Sequence, residues 1–354
     1  MNALARQWCR GLVVGKFCPL HRGHMLVIDS ALAACDEVVV ISYTKPEFAG
    51  CGRALREAWL RASYPQVRVL VLDDASLAAL QGGATAVRVP HNDAPDTEQR
   101  DFCGWLCLDL LGVTVDAVFT SEDYGDGFAR ALGAYFDARR GSGAPRAAVR
   151  HVSVDRARAQ VAVSGTAIRA NPHALRAFLH PQVYASFVRK VCLLGGESSG
   201  KTTLAAALAQ ALDSVWAPEF GRELWIEKNG ALVFGDMLDI GRTQLAPEQA
   251  LLPHATRWLV CDTSPLTTLF YSEAMFGQAD PTLHELAAQP YDVTLLCAPD
   301  FAFVQDGTRR DEIFRQRQHA WYVDELTRRG LPFTIVQGTP AQRLAQACAR
   351  LAAI

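Results

Sequence analysis

Two short segments of this chain combine residue types and spacings suited to gripping phosphate. The first, Gly15-Lys16-Phe17-Cys18-Pro19-Leu20-His21-Arg22-Gly23-His24, follows the apolar run Leu12-Val13-Val14. Its two histidines stand three residues apart across a glycine, where a strand gives way to a helix. Backbone N–H groups and the macrodipole at a helix start already favour anions, and His21 and His24 add donors aimed at the same oxygens. Gly23 lets a phosphate approach closely, because a side chain there would occupy its space. The second segment, Gly195-Gly196-Glu197-Ser198-Ser199-Gly200-Lys201-Thr202, follows Val191-Cys192-Leu193-Leu194 and is a complete P-loop between a strand and a helix. Its amides cradle phosphates, Lys201 bridges the β- and γ-phosphates of ATP, and the Thr202 hydroxyl binds Mg²⁺, with Thr203 beside it at the helix start.

Other residues join these two groups. Val163-Ser164-Gly165-Thr166-Ala167-Ile168-Arg169 places hydroxyls and an arginine at another helix start. Ser164 or Thr166 can cap that helix while donating to phosphate, and Arg169 can neutralise phosphate charge. Asp262 follows the apolar run Trp258-Leu259-Val260-Cys261, where the acidic partner of a P-loop belongs. It can hold magnesium through water or act as base on a sugar hydroxyl. Glu219 and Arg222, in Pro218-Glu219-Phe220-Gly221-Arg222-Glu223, compete with it for substrate contact, which leaves the general base open between Asp262 and Glu219. Paired arginines in Asp306-Gly307-Thr308-Arg309-Arg310-Asp311 read as a lid that closes over the phosphoryl group and excludes water.

Positioning such groups requires strands that end where helices begin. Apolar periodicity predicts strands at 11–14, 38–42, 67–72, 117–120 and 149–154, alternating with helices at 25–34, 54–63 and 102–111. Met25, Ile28 and Leu32 are expected on the buried face of the first helix. A helical segment at 174–187 closes this half, and Gly141-Ser142-Gly143-Ala144-Pro145 reads as a surface loop. The alternation restarts with strands at 191–194, 258–261, 293–297 and 333–336 and helices at 202–212 and 312–328. The fold class expected is therefore α/β, with two doubly wound parallel-sheet domains, 1–186 and 187–354, binding ligands beyond the carboxyl ends of the strands.

Composition excludes several alternatives. A chain of 354 residues exceeds one ordinary core, and 50% hydrophobic with 20% charged residues describes a globular protein. A formal net charge of −2 offers no global attraction for nucleic acid or an anionic membrane, so any polyanion site is a local pocket. Among the 10 cysteines, Cys192, Cys261 and Cys297 lie in apolar runs and behave as small buried hydrophobes. Cys103 and Cys107 can share a helix face but lack further metal-ligand partners. No segment reaches membrane-spanning length and no signal peptide is evident, so a reducing cytoplasmic location is expected. The sequence leaves open whether the chain forms a homo-oligomer.

The first motif and the Ser164–Arg169 segment resemble the nucleotidyltransferase superfamily, with its HxGH and ISxTxxR signatures. Within it, Gly15-Lys16-Phe17 followed by Pro19-Leu20-His21 is similar to the nicotinamide mononucleotide (NMN) adenylyltransferases of the NadR type. Gly-Gly-Glu-Ser-Ser-Gly-Lys-Thr, Pro-Glu-Phe-Gly-Arg-Glu and Val304-Gln305-Asp306-Gly307-Thr308-Arg309 resemble the ribosylnicotinamide kinase half of the same proteins. The resemblance implies an HxGH nucleotidyltransferase Rossmann-like domain followed by a P-loop kinase domain, a bifunctional NAD salvage enzyme using ATP and Mg²⁺. The kinase half would phosphorylate nicotinamide riboside, and the other half would join the product to the α-phosphorus of a second ATP, releasing pyrophosphate. By this likeness His21, His24 and Arg169 hold the triphosphate, Lys16 reaches the reacting phosphates, and Gly15 and Phe17 belong to the nucleotide site. Trp105 would stack on the nicotinamide, with a core role equally open to it, and Arg222, Phe303 and Asp306 would contact the riboside. A departure is Phe301-Ala302-Phe303, where the pattern expects a tryptophan before Val304.

Three other readings compete with this one. A phosphopantetheine adenylyltransferase fused to dephospho-coenzyme A kinase is disfavoured by Phe17 and by Glu-Ser-Ser in the P-loop, and a fused sulfurylase and adenylylsulfate kinase needs a larger first domain. An NAD-sensing regulator with weak catalysis is opposed by intact His21, His24, Lys201 and Asp262. Some relatives begin with a helix-turn-helix, and a first strand near Gly11 leaves no room for one, so DNA binding is not expected.

Overall fold

The structure, a computed structural model, describes residues 6–82, 87–139, 148–305, 307 and 309–354. The chain divides into two compact units, Met1–Ser186 and Phe187–Ile354. In the first unit the elements are β1 (Trp8–Val14), α1 (Arg22–Ala34), β2 (Cys35–Tyr43), α2 (Arg53–Ser63), β3 (Arg68–Leu72), α3 (Asp74–Leu80), α4 (Asp96–Trp105), β4 (Ala117–Thr120), α5 (Gly125–Ala138), β5 (Arg150–Ser153), α6 (Gly165–Ala170) and α7 (Pro181–Tyr184). Among the described residues its five strands are all parallel, in the order β3-β2-β1-β4-β5. From β1 the chain winds outward through β2 and β3, then crosses back to β4 and β5. Such a reversal opens a crevice at the carboxyl ends of β1 and β4.

The central strands are apolar on both sides, as a sheet covered on both faces requires. Val38, Val39, Val40 and Ile41 of β2 are all buried. Helix α1 buries Val27, Ile28 and Ala31, whereas Met25 and Leu32 are only half-buried. The expected stripe is thus shifted: an adjacent pair with the residue three or four positions on faces the sheet. The helix predicted at 102–111 begins earlier, at Asp96, and its last turn widens into a π-helical turn over Leu106–Leu110. Cys103 of α4 and Cys107 of that turn both lie in the core beside Phe102 and Leu106. The segment predicted as one helix at 174–187 is broken into a 3₁₀ turn at Arg176–Phe178, α7 and a second 3₁₀ turn at Ala185–Phe187. Pro181 forces the break, since it has no N–H to continue the preceding turn. The glycine-rich stretch 141–145 lies outside the described residues.

In the second unit the elements are β6 (Arg189–Gly195), α8 (Lys201–Ala211), β7 (Trp216–Ala217), α9 (Phe220–Glu227), α10 (Phe234–Leu251), β8 (Trp258–Asp262), α11 (Pro265–Phe276), α12 (Pro281–Leu286), β9 (Val293–Cys297), α13 (Glu312–Arg328), β10 (Thr334–Val336) and α14 (Pro340–Ala352). The sheet is again parallel, in the order β10-β9-β6-β8-β7. Strand β6 shows how the layers form. Val191 and Leu193 pack with Leu204 and Leu208 of α8 and Leu351 of α14, while Cys192 and Leu194 pack with residues of α10, α11 and α13. The two-residue period of the strand therefore supplies both cores. In each unit the strand that carries the phosphate motif is the central one.

Candidate active sites

In the first unit a cavity of about 560 Å³ lies at the carboxyl ends of β1 and β4. It is lined by Gly15, Lys16, Phe17, His21, Gly23, His24, Ser164, Thr166 and Arg169, so the two motifs meet there. His21 caps α1 with its ring: Nδ1 accepts the Gly23 N–H at 3.2 Å, and the His21 N–H reaches back to His24 Nδ1 at 3.4 Å. The imidazoles stack, with centroids 3.7 Å apart. Burial lowers the His21 pKa from 6.5 to about 4, with the Arg158 charge adding to it. Burial pulls His24 well below its ordinary value, and its stacked neighbour adds to the shift. Both rings are therefore neutral near pH 7. Because His21 Nδ1 accepts a hydrogen bond, its proton sits on Nε2, where it is a donor.

Gly23 serves the protein before it serves a ligand. A Cβ there would stand 3.1 Å from the His21 ring, tighter than ordinary contact. Phe17 adopts a left-handed conformation with φ 48° and is 1% exposed, its ring edge-on to His24 at 5.0 Å. The guanidinium of Arg169 lies 4.3 Å from the Phe48 ring, donates through Nη1 to the Cys18 carbonyl, and donates through Nη2 to Thr166 Oγ1 at 3.2 Å. Lys16 Nζ lies 5.8 Å from the same ring. Ser164 is the helix cap, accepting from the Ala167 N–H at 3.2 Å. Thr166 instead orients Arg169, which resolves the choice that the sequence left open.

In the second unit a cavity of about 330 Å³ is lined by Glu197, Lys201, Glu219, Arg222, Arg309 and Arg310, together with Trp225, Gln244, Thr267 and Tyr271. The loop ahead of it needs backbone that few residues tolerate: Gly195, Ser198 and Gly200 have φ 151°, 55° and 78°. A Cβ on Gly195 would stand 2.9 Å from the Cys297 carbonyl. Lys201, 9% exposed, donates to the Gly195 and Gly196 carbonyls at 3.0 and 3.2 Å. The Thr202 hydroxyl donates to Asp262 Oδ2 at 2.6 Å. Asp262 is 1% exposed and its pKa is raised by burial, with the Lys201 charge opposing and the Glu219 charge reinforcing. Its other oxygen, Oδ1, is buried without a hydrogen-bond partner. A carboxylate oxygen left so beside a P-loop threonine fits a hard cation such as Mg²⁺, which needs only one or two protein ligands when phosphates and water supply the rest.

The structure relocates several expected residues. Trp105 does not line the first cavity: it is half-buried, stacks on Phe102 at 6.2 Å and packs against the core. Phe303 does not line the second, facing the Arg315 guanidinium at 5.5 Å instead. Asp306 lies outside the described residues. Glu197 turns from the phosphate loop toward this cavity, where its carboxylate accepts from Tyr271 OH at 2.9 Å and the Arg310 N–H at 2.6 Å. Arg309 donates to Ser198 Oγ at 3.4 Å and so lies against the loop, while the Arg310 guanidinium lies 4.5 Å from the Phe314 ring. Thr203 is exposed on α8.

Sequence reasoning also missed residues that the fold brings in. Arg158, Tyr43, Phe48 and Arg100 line the first cavity. Arg158 sits in a turn held by the Asp155 carboxylate, which accepts the Gln160 and Val161 N–H groups at 3.0 Å each. In the second unit Trp225 supplies the cavity's indole, and Arg315 and Arg343 grip the P-loop carbonyls of Ser198 and Ser199. None of these belongs to a local motif. The signal that existed was positional, since Trp225 is one helical turn and a half beyond Glu219.

Two parallel α/β units, one with a formed P-loop and its acidic partner, define a nucleotide-binding phosphotransfer protein. A family model described as an AAA domain matches residues 190–343. The trifunctional NAD biosynthesis/regulator protein NadR of Escherichia coli (strain K12) is 25% identical over 350 residues, covering 92% of this chain and 78% of that protein. Its namesake from Salmonella typhimurium (strain LT2) is 25% identical over 324 residues, 86% and 72% of the two chains. A crystal structure of NadR protein in complex with NR superposes with TM-score 0.71 at 19% identity, covering 100% of this chain and 98% of that one. Another, in complex with NAD and AMP-PNP, gives 0.70 at 20% identity, covering 98% and 97%. The similarity to these NadR proteins extends through both units of the chain.

Proposed function

We propose that this chain is a bifunctional NAD salvage enzyme. The second unit, a P-loop kinase domain, transfers the γ-phosphoryl group of ATP to the 5′-hydroxyl of nicotinamide riboside, giving NMN and ADP. The first, an HxGH nucleotidyltransferase domain of Rossmann-like form, lets the NMN phosphate attack the α-phosphorus of ATP, giving NAD and pyrophosphate. The observation that carries this reading is the pairing, within one NadR-type chain, of two cavities each lined by a phosphate-gripping motif at a central strand.

In the kinase half, Lys201 follows the β- and γ-phosphates, its ammonium exchanging the loop carbonyls it now holds for phosphate oxygens. Thr202 and Asp262 would hold Mg²⁺, which neutralises charge between those phosphates when bound. With Asp262 engaged by Thr202, Glu219 is the group left to take the proton of the riboside hydroxyl. Trp225 and Tyr271 flank the same cavity and suit a flat, cationic ring. Arg309 and Arg310 cover it. In the adenylyltransferase half no covalent enzyme intermediate is needed. Neutral His21 and His24 donate to phosphate oxygens, Arg169 and Lys16 supply fixed charge, and the rate comes from alignment and from donors already in place where charge develops.

The deciding experiment is incubation of the purified chain with ATP, Mg²⁺ and nicotinamide riboside, with products separated by chromatography. NMN and then NAD must appear, with ADP and pyrophosphate in matching amounts. Recovery of the riboside unchanged refutes the kinase assignment, and NMN that persists without NAD refutes the adenylyltransferase one.

A further inference from the structure

Glu219 stands at a sharp change of direction. It follows the short edge strand β7 by two residues and is the N-cap of α9, yet its carboxylate makes no capping bond to that helix. A carboxylate at an N-cap can fold back onto the N–H of the second or third helical residue. The backbone around Glu219 is held instead by Gln244, reaching in from α10. Its Oε1 accepts the Phe220 N–H at 2.9 Å and its Nε2 donates to the Pro218 carbonyl at 3.1 Å. The side-chain amide thus grips the backbone on both sides of Glu219, as a neighbouring strand would. Gln244 is 1% exposed and also borders the cavity into which Glu219 faces.

We propose that Gln244 is the positioning residue for Glu219 in phosphoryl transfer, a role that rests on Glu219 being the proton acceptor proposed above. By holding the Phe220 N–H and the Pro218 carbonyl, Gln244 fixes the backbone on both sides of Glu219 and keeps its carboxylate directed at the riboside hydroxyl. Without the clamp the carboxylate turns back onto α9, where the helix start attracts it.

The experiment is a double-mutant cycle on the full-length chain, measuring kcat and KM for riboside phosphorylation in Gln244→Leu, Glu219→Gln and the double variant. Gln244→Leu should lower kcat by about 10- to 100-fold, the scale of a misplaced reacting group, with KM for ATP within about 2-fold. In the Glu219→Gln background the same substitution should cost nothing further, because the group it positions is already disabled. Gln244→Glu, which accepts the Phe220 N–H but repels the Pro218 carbonyl, should fall between. NMN adenylyl transfer and the thermal midpoint of the same preparations report folding, and if Gln244→Leu does not stay folded, Gln244→Glu carries the cycle. Additive losses, a loss confined to KM, or full activity of Gln244→Leu overturns the positioning role. Full activity of Glu219→Gln instead removes the base assignment on which it rests, and a wild-type chain that leaves the riboside unphosphorylated removes the kinase reading and the positioning role with it.

Discussion

Acidification should destabilise the first unit through its two stacked histidines, and the size of the effect follows from their environment. His21 falls from 6.5 to about 4 on burial, so between those values the unfolded imidazole holds a proton that the folded one refuses. Stability is therefore fully present above pH 6.5 and is lost as pH falls toward 4. At about 1.36 kcal/mol per pH unit the full loss is about 3 kcal/mol, of which roughly 2.5 is gone by pH 4.5. His24 is displaced in the same direction and adds to it. Against a total stability of about 5–15 kcal/mol this is a large fraction. Urea unfolding of wild type and His21→Gln at pH 7 and 4.5 measures it, the variant subtracting carboxylates such as Asp155, whose lowered pKa places their loss at more acid pH. Imidazole ¹⁵N spectra give the tautomer directly. A His21 proton on Nδ1, a titration near 6.5, or an equal pH slope in His21→Gln refutes the reasoning. Added triphosphate should raise the His21 pKa, because the bound anion favours the charged ring.

Other substitutions separate the two chemistries. Lys201→Ala should abolish riboside phosphorylation while adenylyl transfer persists, and loss of both in a folded protein contradicts separate sites. Trp225→Ala should raise the riboside KM by 10-fold or more, on the scale of about 1–3 kcal/mol for a lost stacking surface. Trp105→Ala should leave the NMN KM unchanged and lower stability by about 1–3 kcal/mol, as loss of partial core packing does; a raised KM there would restore the ligand role to Trp105. Gly125→Ala should destabilise the first unit by about 1–3 kcal/mol, since a Cβ would overlap the His151 ring, which bonds Thr120 Oγ1 and Asp126 Oδ1 at 2.9 Å each; unchanged melting excludes that packing.

The parts of this molecule that could be read from its sequence are those whose physics is local. A P-loop needs glycines at left-handed positions and a lysine and a hydroxyl at fixed offsets, and Gly195–Thr202 announces all of that in eight residues. Parallel strands buried on both faces read as apolar runs, so 117–120 and 293–297 coincide with β4 and β9. Helices were less legible where their apolar stripe was weak. Helix α10 carries Asp236, Gln244 and Glu248 on its buried side, which hides its periodicity. Those buried polar groups are individually satisfied: Glu248 accepts from Tyr291 OH at 2.7 Å and Lys190 Nζ at 3.1 Å. Cavity aromatics were the hardest. An indole in a helix looks alike whether it meets core or cavity, and only the packing of α4 against α5, and of α9 against α10, separates Trp105 from Trp225.

The two phosphate sites solve one problem in opposite ways, and the reactions proposed for them call for the difference. In the P-loop a buried cation is fixed beside a buried carboxylate, and the loop is braced from outside. Arg343, 1% exposed, donates to the carbonyls of Gly338, Ser199 and Ala298 and pairs with Asp300, while Arg315 holds the carbonyls of Ser198 and Phe301. Tethering those carbonyls outward keeps the loop from collapsing onto its own N–H groups and supports its strained backbone. Phosphoryl transfer to a neutral hydroxyl moves a highly charged group only a short way, and a rigid charged cradle suits it. Adenylyl transfer brings one phosphate anion onto the phosphorus of another and then releases pyrophosphate. Neutral imidazoles at a helix start, with Arg169 balanced on the Phe48 ring, bind the triphosphate through donors that strengthen as charge develops and relax when it leaves.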